Sequence, residues 1–157
     1  MILSQVFSPK AVNINLESTE KDEVLEELVE GFISAYPELT RSAVLNALVE
    51  RESKLSTGIG NGIAVPHGVC QGFSGVRGFI GVSKEGLDFN SLDNAPVHVF
   101  FMIISSPDDC EYHLQVIKRL ADILKEQEFI NSVLQKTNNR DVYDVLVHYE
   151  EQVTASV

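Results

Sequence analysis

The chain has 157 residues, 44% of them hydrophobic, which suits one compact domain built on a single core. Its net charge of −11 comes without a cluster of Lys or Arg, and this argues against nucleic acid as a partner, because counterion displacement needs grouped cations. The longest apolar run, residues 97–104 with His98 inside it, is strand-sized and far short of the ~20 residues that span a bilayer, so membrane insertion is not expected.

Met1, Ile2 and Leu3 give way at once to Ser4 and Gln5, without the pattern of a secretion signal. Two cysteines and no such signal suit reduced thiols in a cytoplasm. Residues 11–16 alternate apolar and polar and predict a half-buried strand. Ser18 or Thr19 then caps a helix with Val24, Leu25, Leu28, Val29, Phe32, Ile33 and Tyr36 on one face. Residues 17–30 hold seven carboxylates against the single Lys21, which reads as a solvated helix face attractive to basic partners. Thr40 can cap a second helix that turns Val44, Leu45 and Leu48 inward and carries Arg51 near its end.

The composition then changes. Ser-Thr-Gly-Ile-Gly-Asn-Gly at 56–62 predicts a turn, and residues 63–65 a short apolar strand that Pro66 ends. Core strands are predicted at 76–82 and 97–104, with a turn at 92–96 between them. Asp108 and Glu111 make a capping box for a helix reaching about residue 126. Shorter helices at 129–135 and 141–149 follow, closing a domain that spans 1–152 and leaves a disordered tail at 153–157. Interleaved helices and strands predict a single α/β domain with a mixed, largely parallel sheet flanked by helices.

Four histidines could carry chemistry. His67 follows a short strand and Pro66 and precedes Gly68, a position where ligands meet open α/β sheets, although a structural histidine at a turn has the same local look. The alternating Gly58, Gly60 and Gly62 could turn backbone amides toward an anion, or simply form a turn. No P-loop or dinucleotide fingerprint is present. His113 shares a helix face with Ile117 and Leu120, as core histidines do. His98 and His148 read as structural.

Taken together, Arg51-Glu52-Ser53 and Ser-Thr-Gly-Ile-Gly-Asn-Gly-Ile-Ala-Val-Pro-His-Gly at 56–68 resemble the active-site signature of the enzyme IIA domains of the bacterial phosphotransferase system, type 2, the fructose, mannitol and nitrogen-regulatory class. The resemblance continues through residues 92–97 and the helix at His113 and Leu114, and covers nearly the whole chain. It implies an α/β domain with a mixed, mostly parallel sheet of five strands. It also implies that His67 accepts phosphate on Nε2 from an HPr-like phosphocarrier, with its other ring nitrogen held by a backbone carbonyl. In the same terms His113 is the second active-site histidine and Arg51 the supporting cation.

Elementary chemistry fits this assignment. A neutral imidazole is the nucleophile, and near its ordinary pKa it needs no additional base. The phosphoryl group adds about −1.5 to −2 charges to an acidic protein, and a like charge ~6 Å away costs roughly 2.8 kcal/mol at an effective dielectric of ~20. Arg51, a protonated His113, the hydroxyls of Ser56 and Thr57 and the loop amides at Gly60 and Asn61 are the expected phosphate-binding groups. No metal or soluble cofactor is required. The loop at 56–62 is more similar to the nitrogen-regulatory branch, so a regulatory protein target is the expected destination. Donation to a cysteine-bearing IIB domain in sugar transport is the alternative. A third reading, from a different class, takes His67, Cys70, Cys110 and His113 as four ligands for zinc.

Overall fold

A computed structural model describes residues 1–155. The apolar run at the centre of the sequence becomes the axis of the sheet. This strand, β6 (Val97–Ser105), has every residue from Val99 to Ile104 fully buried, as expected of a strand covered on both faces. Its side chains alternate. Val99, Phe101 and Ile103 enter one apolar cluster, and Phe100, Met102 and Ile104 enter the other.

The long strand β5 (Val76–Leu87) pairs antiparallel with β6, and the two-residue β1 (Val12–Asn13) pairs parallel with β5. On the other side of β6 lie β3 (Ile63–Ala64) and β4 (His67–Val69), both parallel to it, while β2 (Gly58–Gly60) forms a hairpin with β3. The sheet is mixed, with parallel pairs in the majority. It has six strands and not five. Pro66, which has no N–H to give the ladder, divides what would be one strand: Ala64 pairs with Phe100, and pairing resumes only where His67 meets Ile103. His67 therefore begins a strand, where the sequence placed it after one. Its predecessor still contributes, because the Pro66 carbonyl accepts from the Ile103 amide at 2.9 Å.

One face of the sheet is covered by α2 (Lys21–Ala35) and α3 (Arg41–Lys54), the other by α1 (Leu3–Val6), α4 (Cys110–Leu124), α5 (Gln127–Leu134) and α6 (Asn139–Ala155). The α2 face buries Val24, Leu25, Leu28, Val29 and Phe32 at the predicted helical spacing. Its N-cap is Glu20, later than Ser18 or Thr19, because the Ser18 hydroxyl and amide both donate to Glu27. The expected Asp108–Glu111 box is replaced by a 3-10 turn at Pro107–Asp109. There the Asp109 carboxylate accepts from the Ser106 hydroxyl and, at 2.7 Å, from the Gly75 amide.

Both ends of the chain differ from expectation. Helix α6 continues to Ala155, so residues 153–155 are its last turn and not a disordered tail; residues 156–157 lie outside the described part. Unexpected too is α1. Its first amides, on Ile2 and Leu3, donate to the buried carboxylate of Glu150 in α6 at 3.1–3.2 Å, and Arg119 pairs with the same carboxylate at 2.9 Å. Among the described residues no helix is long and apolar enough to cross a membrane.

Candidate active site around His67

The site is assembled where α3, the β2–β3 hairpin, β4 and α4 converge. Near the end of α3 the buried carboxylate of Glu52 accepts from the Thr57 amide at 2.8 Å and the Thr57 hydroxyl at 2.6 Å. Lys21 pairs with it at 2.9 Å while lying 4.6 Å above the Phe89 ring. This network fixes the chain as it leaves α3. The hairpin turn then uses three positive φ angles in a row, at Gly60, Asn61 and Gly62. Asp93 braces it by accepting from the Asn61 amide at 3.1 Å and the Ala95 amide at 3.0 Å. Those two amides also hold the Asp93 carboxyl below its ordinary pKa.

His67 is half-buried at the head of β4, and its Nδ1 lies 2.8 Å from the carbonyl oxygen of Val65. A carbonyl only accepts, so Nδ1 carries the ring proton and Nε2 keeps its lone pair. Burial lowers the His67 pKa, partly opposed by the Val65 carbonyl; Arg51 lowers it further and Glu52 acts the other way. The ring is neutral at pH 7.

His113 sits one turn into α4, buried on the face it shares with Val116 and Leu120. Its ring meets that of His67 edge to face, with centroids 5.5 Å apart. Nδ1 is 2.7 Å from the Ser105 hydroxyl, whereas Nε2 is buried without a hydrogen-bond partner. Burial, then the charge of His67, push its pKa down to about 4. In this state His113 is neutral at pH 7, so the protonated ring expected from the sequence is not present.

A cleft of about 310 Å³ opens beside His67 and is lined by Arg51, Ser56 and Thr57 together with apolar side chains. Arg51 gives one guanidinium N–H to the Leu55 carbonyl at 2.8 Å, which leaves its other donors for a ligand. The loop groups are differently placed. The Ser56 hydroxyl donates to the Phe89 carbonyl at 3.0 Å, and Thr57 is held by Glu52. Asn61 faces a neighbouring cleft toward α5, and Gly60 lies in the hairpin behind it. Ser56, Thr57 and Asn61 thus already make bonds that hold the loop in shape, whereas Arg51 keeps unused donors and His113 Nε2 has no partner.

Residues 5–149 match the family described as the phosphoenolpyruvate-dependent sugar phosphotransferase system, EIIA 2. The chain belongs to this family. This EIIA domain is 31% identical over 151 residues to the fructose-specific EIIABC component of Bacillus subtilis strain 168, a match covering 96% of this chain and 24% of that protein. The chain therefore spans about a quarter of that relative. It is also 28% identical to the nitrogen regulatory protein of Pseudomonas aeruginosa, over 92% of this chain and 94% of that one. In fold it is similar to nitrogen regulatory protein IIA-Ntr of Neisseria meningitidis, with a TM-score of 0.86 at 23% identity over 93% of this chain and 99% of that one.

The zinc arrangement is not formed in the EIIA domain. Among the described residues no group of three or more His, Cys, Asp or Glu is placed to hold a metal ion. Cys70 is buried with its thiol turned to the Gln71 carbonyl, and the exposed Cys110 thiol turns to Pro107. Sequence reasoning assigned no role to Glu52, Asp93 or Ser105, although the first two lie within the recognised motif. Glu52 stands beside Arg51 in the motif, and Ser105 is the polar residue closing the apolar run, so each had a local signal. Nothing local pointed to Lys21 as the partner of Glu52, thirty-one residues away.

Proposed function

We propose that this EIIA domain is a phosphohistidine relay in which Nε2 of His67 accepts a phosphoryl group from an HPr-like phosphocarrier and later releases it to a second protein. The observation that carries the reading is the 2.8 Å contact of Nδ1 with the Val65 carbonyl, which leaves Nε2 as the one nucleophilic nitrogen of a neutral ring. The Nε2 lone pair attacks phosphorus as the carrier's P–N bond breaks, and the bonding electrons return to the carrier's histidine. The phosphoryl charge is met by Arg51 and by Nε2 of His113, so positioning and electrostatics do most of the catalysis.

The surroundings favour a protein donor over a free small molecule. Leu55, Ile59 and Leu92 are 59%, 48% and 63% exposed and stand on the cleft beside His67. Exposed apolar side chains grouped at a reactive residue suit a protein surface pressing against them. Such carriers are cytoplasmic, and this reading places the domain there.

For the destination of the phosphate we favour a regulatory protein target, on the likeness of the loop at 56–62 to the nitrogen-regulatory branch. Transfer to a cysteine-bearing IIB domain is the second reading, supported by the identity to a fructose-specific relative. Incubation with phosphorylated carrier, followed by mapping of acid-labile phosphate, tests the relay. Label on the peptide containing His67, lost in His67→Ala, is expected. Uptake by His67→Ala at the normal rate would overturn the assignment. Rapid discharge onto a IIB cysteine would decide for transport, and phosphorylation-dependent capture of a regulator without discharge would decide for regulation.

A further inference from the structure

We propose that Ser105 is a positioning residue that holds His113 as the tautomer protonated on Nε2, so that His113 presents a hydrogen-bond donor to a phosphoryl group on His67. This assignment rests on the reading of His67 as the phosphorylated residue.

The argument begins with the two ways of placing one proton. Ser105 is fully buried, and its hydroxyl lies 2.7 Å from His113 Nδ1. His113 is neutral at pH 7, so its ring carries a single N–H. If Ser105 donates, Nδ1 accepts and the ring proton sits on Nε2. Only that N–H then awaits a partner. If instead Nδ1 donates, the Ser105 O–H must find another acceptor, and among the described residues its hydroxyl makes no second bond. Nε2 would in addition become a buried lone pair without a donor. The second arrangement leaves two polar groups unsatisfied and the first leaves one.

The two histidines are thereby set to opposite tasks. His67 faces a carbonyl, which can only accept, and so keeps its lone pair on Nε2. His113 faces a hydroxyl, which can donate, and so keeps its proton on Nε2. A phosphoryl oxygen is an acceptor; a lone pair on His113 would repel it, whereas an N–H binds it with charge assistance. The backbone holds both settings in register. Ser105 closes β6 opposite Val69 of β4, two residues beyond the pair formed by His67 and Ile103, and the Ser105 carbonyl accepts from the Cys70 amide at 2.9 Å. One strand pair thus positions the nucleophile and the residue that orients its neighbour.

The test is long-range 15N–1H correlation on the whole, unphosphorylated chain at neutral pH, with labelled histidine. Wild-type His113 should show a protonated Nε2 and a bare Nδ1, and His67 the reverse. A wild-type His113 protonated on Nδ1 would overturn the proposal without any variant. In Ser105→Ala the His113 tautomer should shift toward Nδ1–H, and phosphate uptake by His67 should slow roughly ten- to a hundredfold. Ser105→Thr, which keeps the hydroxyl, should restore both. An unchanged tautomer in Ser105→Ala would also overturn it. If the tautomers are as stated but His67 takes no phosphate, the relay reading fails and the tautomer assignment stands.

Discussion

The rings of His67 and His113 meet edge to face at 5.5 Å, with their planes at 81°. His113 feels the charge of His67, and, already pushed down to about 4, it will register any phosphate placed on that ring. One negative charge ~6 Å away at an effective dielectric of ~20 is worth roughly 2.8 kcal/mol, or about 2 in pKa. Phosphorylation should raise the His113 pKa by about 2 or more, to about 6 or above, and so favour its protonation. NMR titration of His113 in both forms measures this. Identical pKa values would place the phosphate elsewhere.

Both histidines hold protons less tightly folded than unfolded. Below the ordinary value near 6.5 the unfolded chain binds more protons, so stability is whole above that pH and falls as acid takes the solution down toward about 4. His113 alone accounts for about 3 kcal/mol across that window. Urea midpoints between about pH 7 and pH 4.5 should decline, and His113→Gln should flatten the decline. A flat profile in the unaltered protein would count against the burial of both rings.

Gly68 packs against the backbone of α3. A Cβ there would stand 3.1 Å from the carbonyl carbon, the oxygen and the Cβ of Ala47. Gly68→Ala should push the helix back by a few tenths of an ångström at a cost of about 1–3 kcal/mol. Arg51, one turn further along α3, moves with it, so phosphate uptake should slow as well. Denaturant midpoint and uptake rate are the readouts, and a variant normal in both would show that the contact yields freely.

The apolar rim offers a different kind of test. Leu92 and Ile59 are exposed, so Leu92→Glu and Ile59→Glu should leave folding stability within about 0.5 kcal/mol. If a carrier docks there, each should raise the carrier concentration needed for half-maximal uptake about tenfold. An unaltered concentration dependence in both variants would move the docking face elsewhere.

Much of this architecture could be read from residue patterns. The apolar spacing of α2 and the unbroken run of β6 survived into the structure because each follows from the residues of its own segment. The elements that escaped depend on distant partners. Four residues at 3–6 cannot sustain a helix alone, and α1 exists because Glu150 satisfies its amides. The strand after Pro66 was hidden because a proline reads locally as an ending, although β6 is close enough to resume the ladder.

The site divides in the same manner. His67, Arg51 and His113 were named from their motif, and the fold brings them to one place. Thr57 was expected to offer its hydroxyl to the phosphate and Asn61 its amide. Glu52 and Asp93 engage those groups first, and neither acid could be matched to its partner without the fold.

The Glu150 carboxylate also sets an order of events during synthesis. It holds the Leu3 amide across 147 positions of chain. At ~5–20 residues per second a ribosome needs roughly 7–30 s to cover that distance. Until Glu150 has been added, the first amides of α1 lack the carboxylate that receives them. Residues 3–6 therefore settle only after α6, made 147 positions later, has been added.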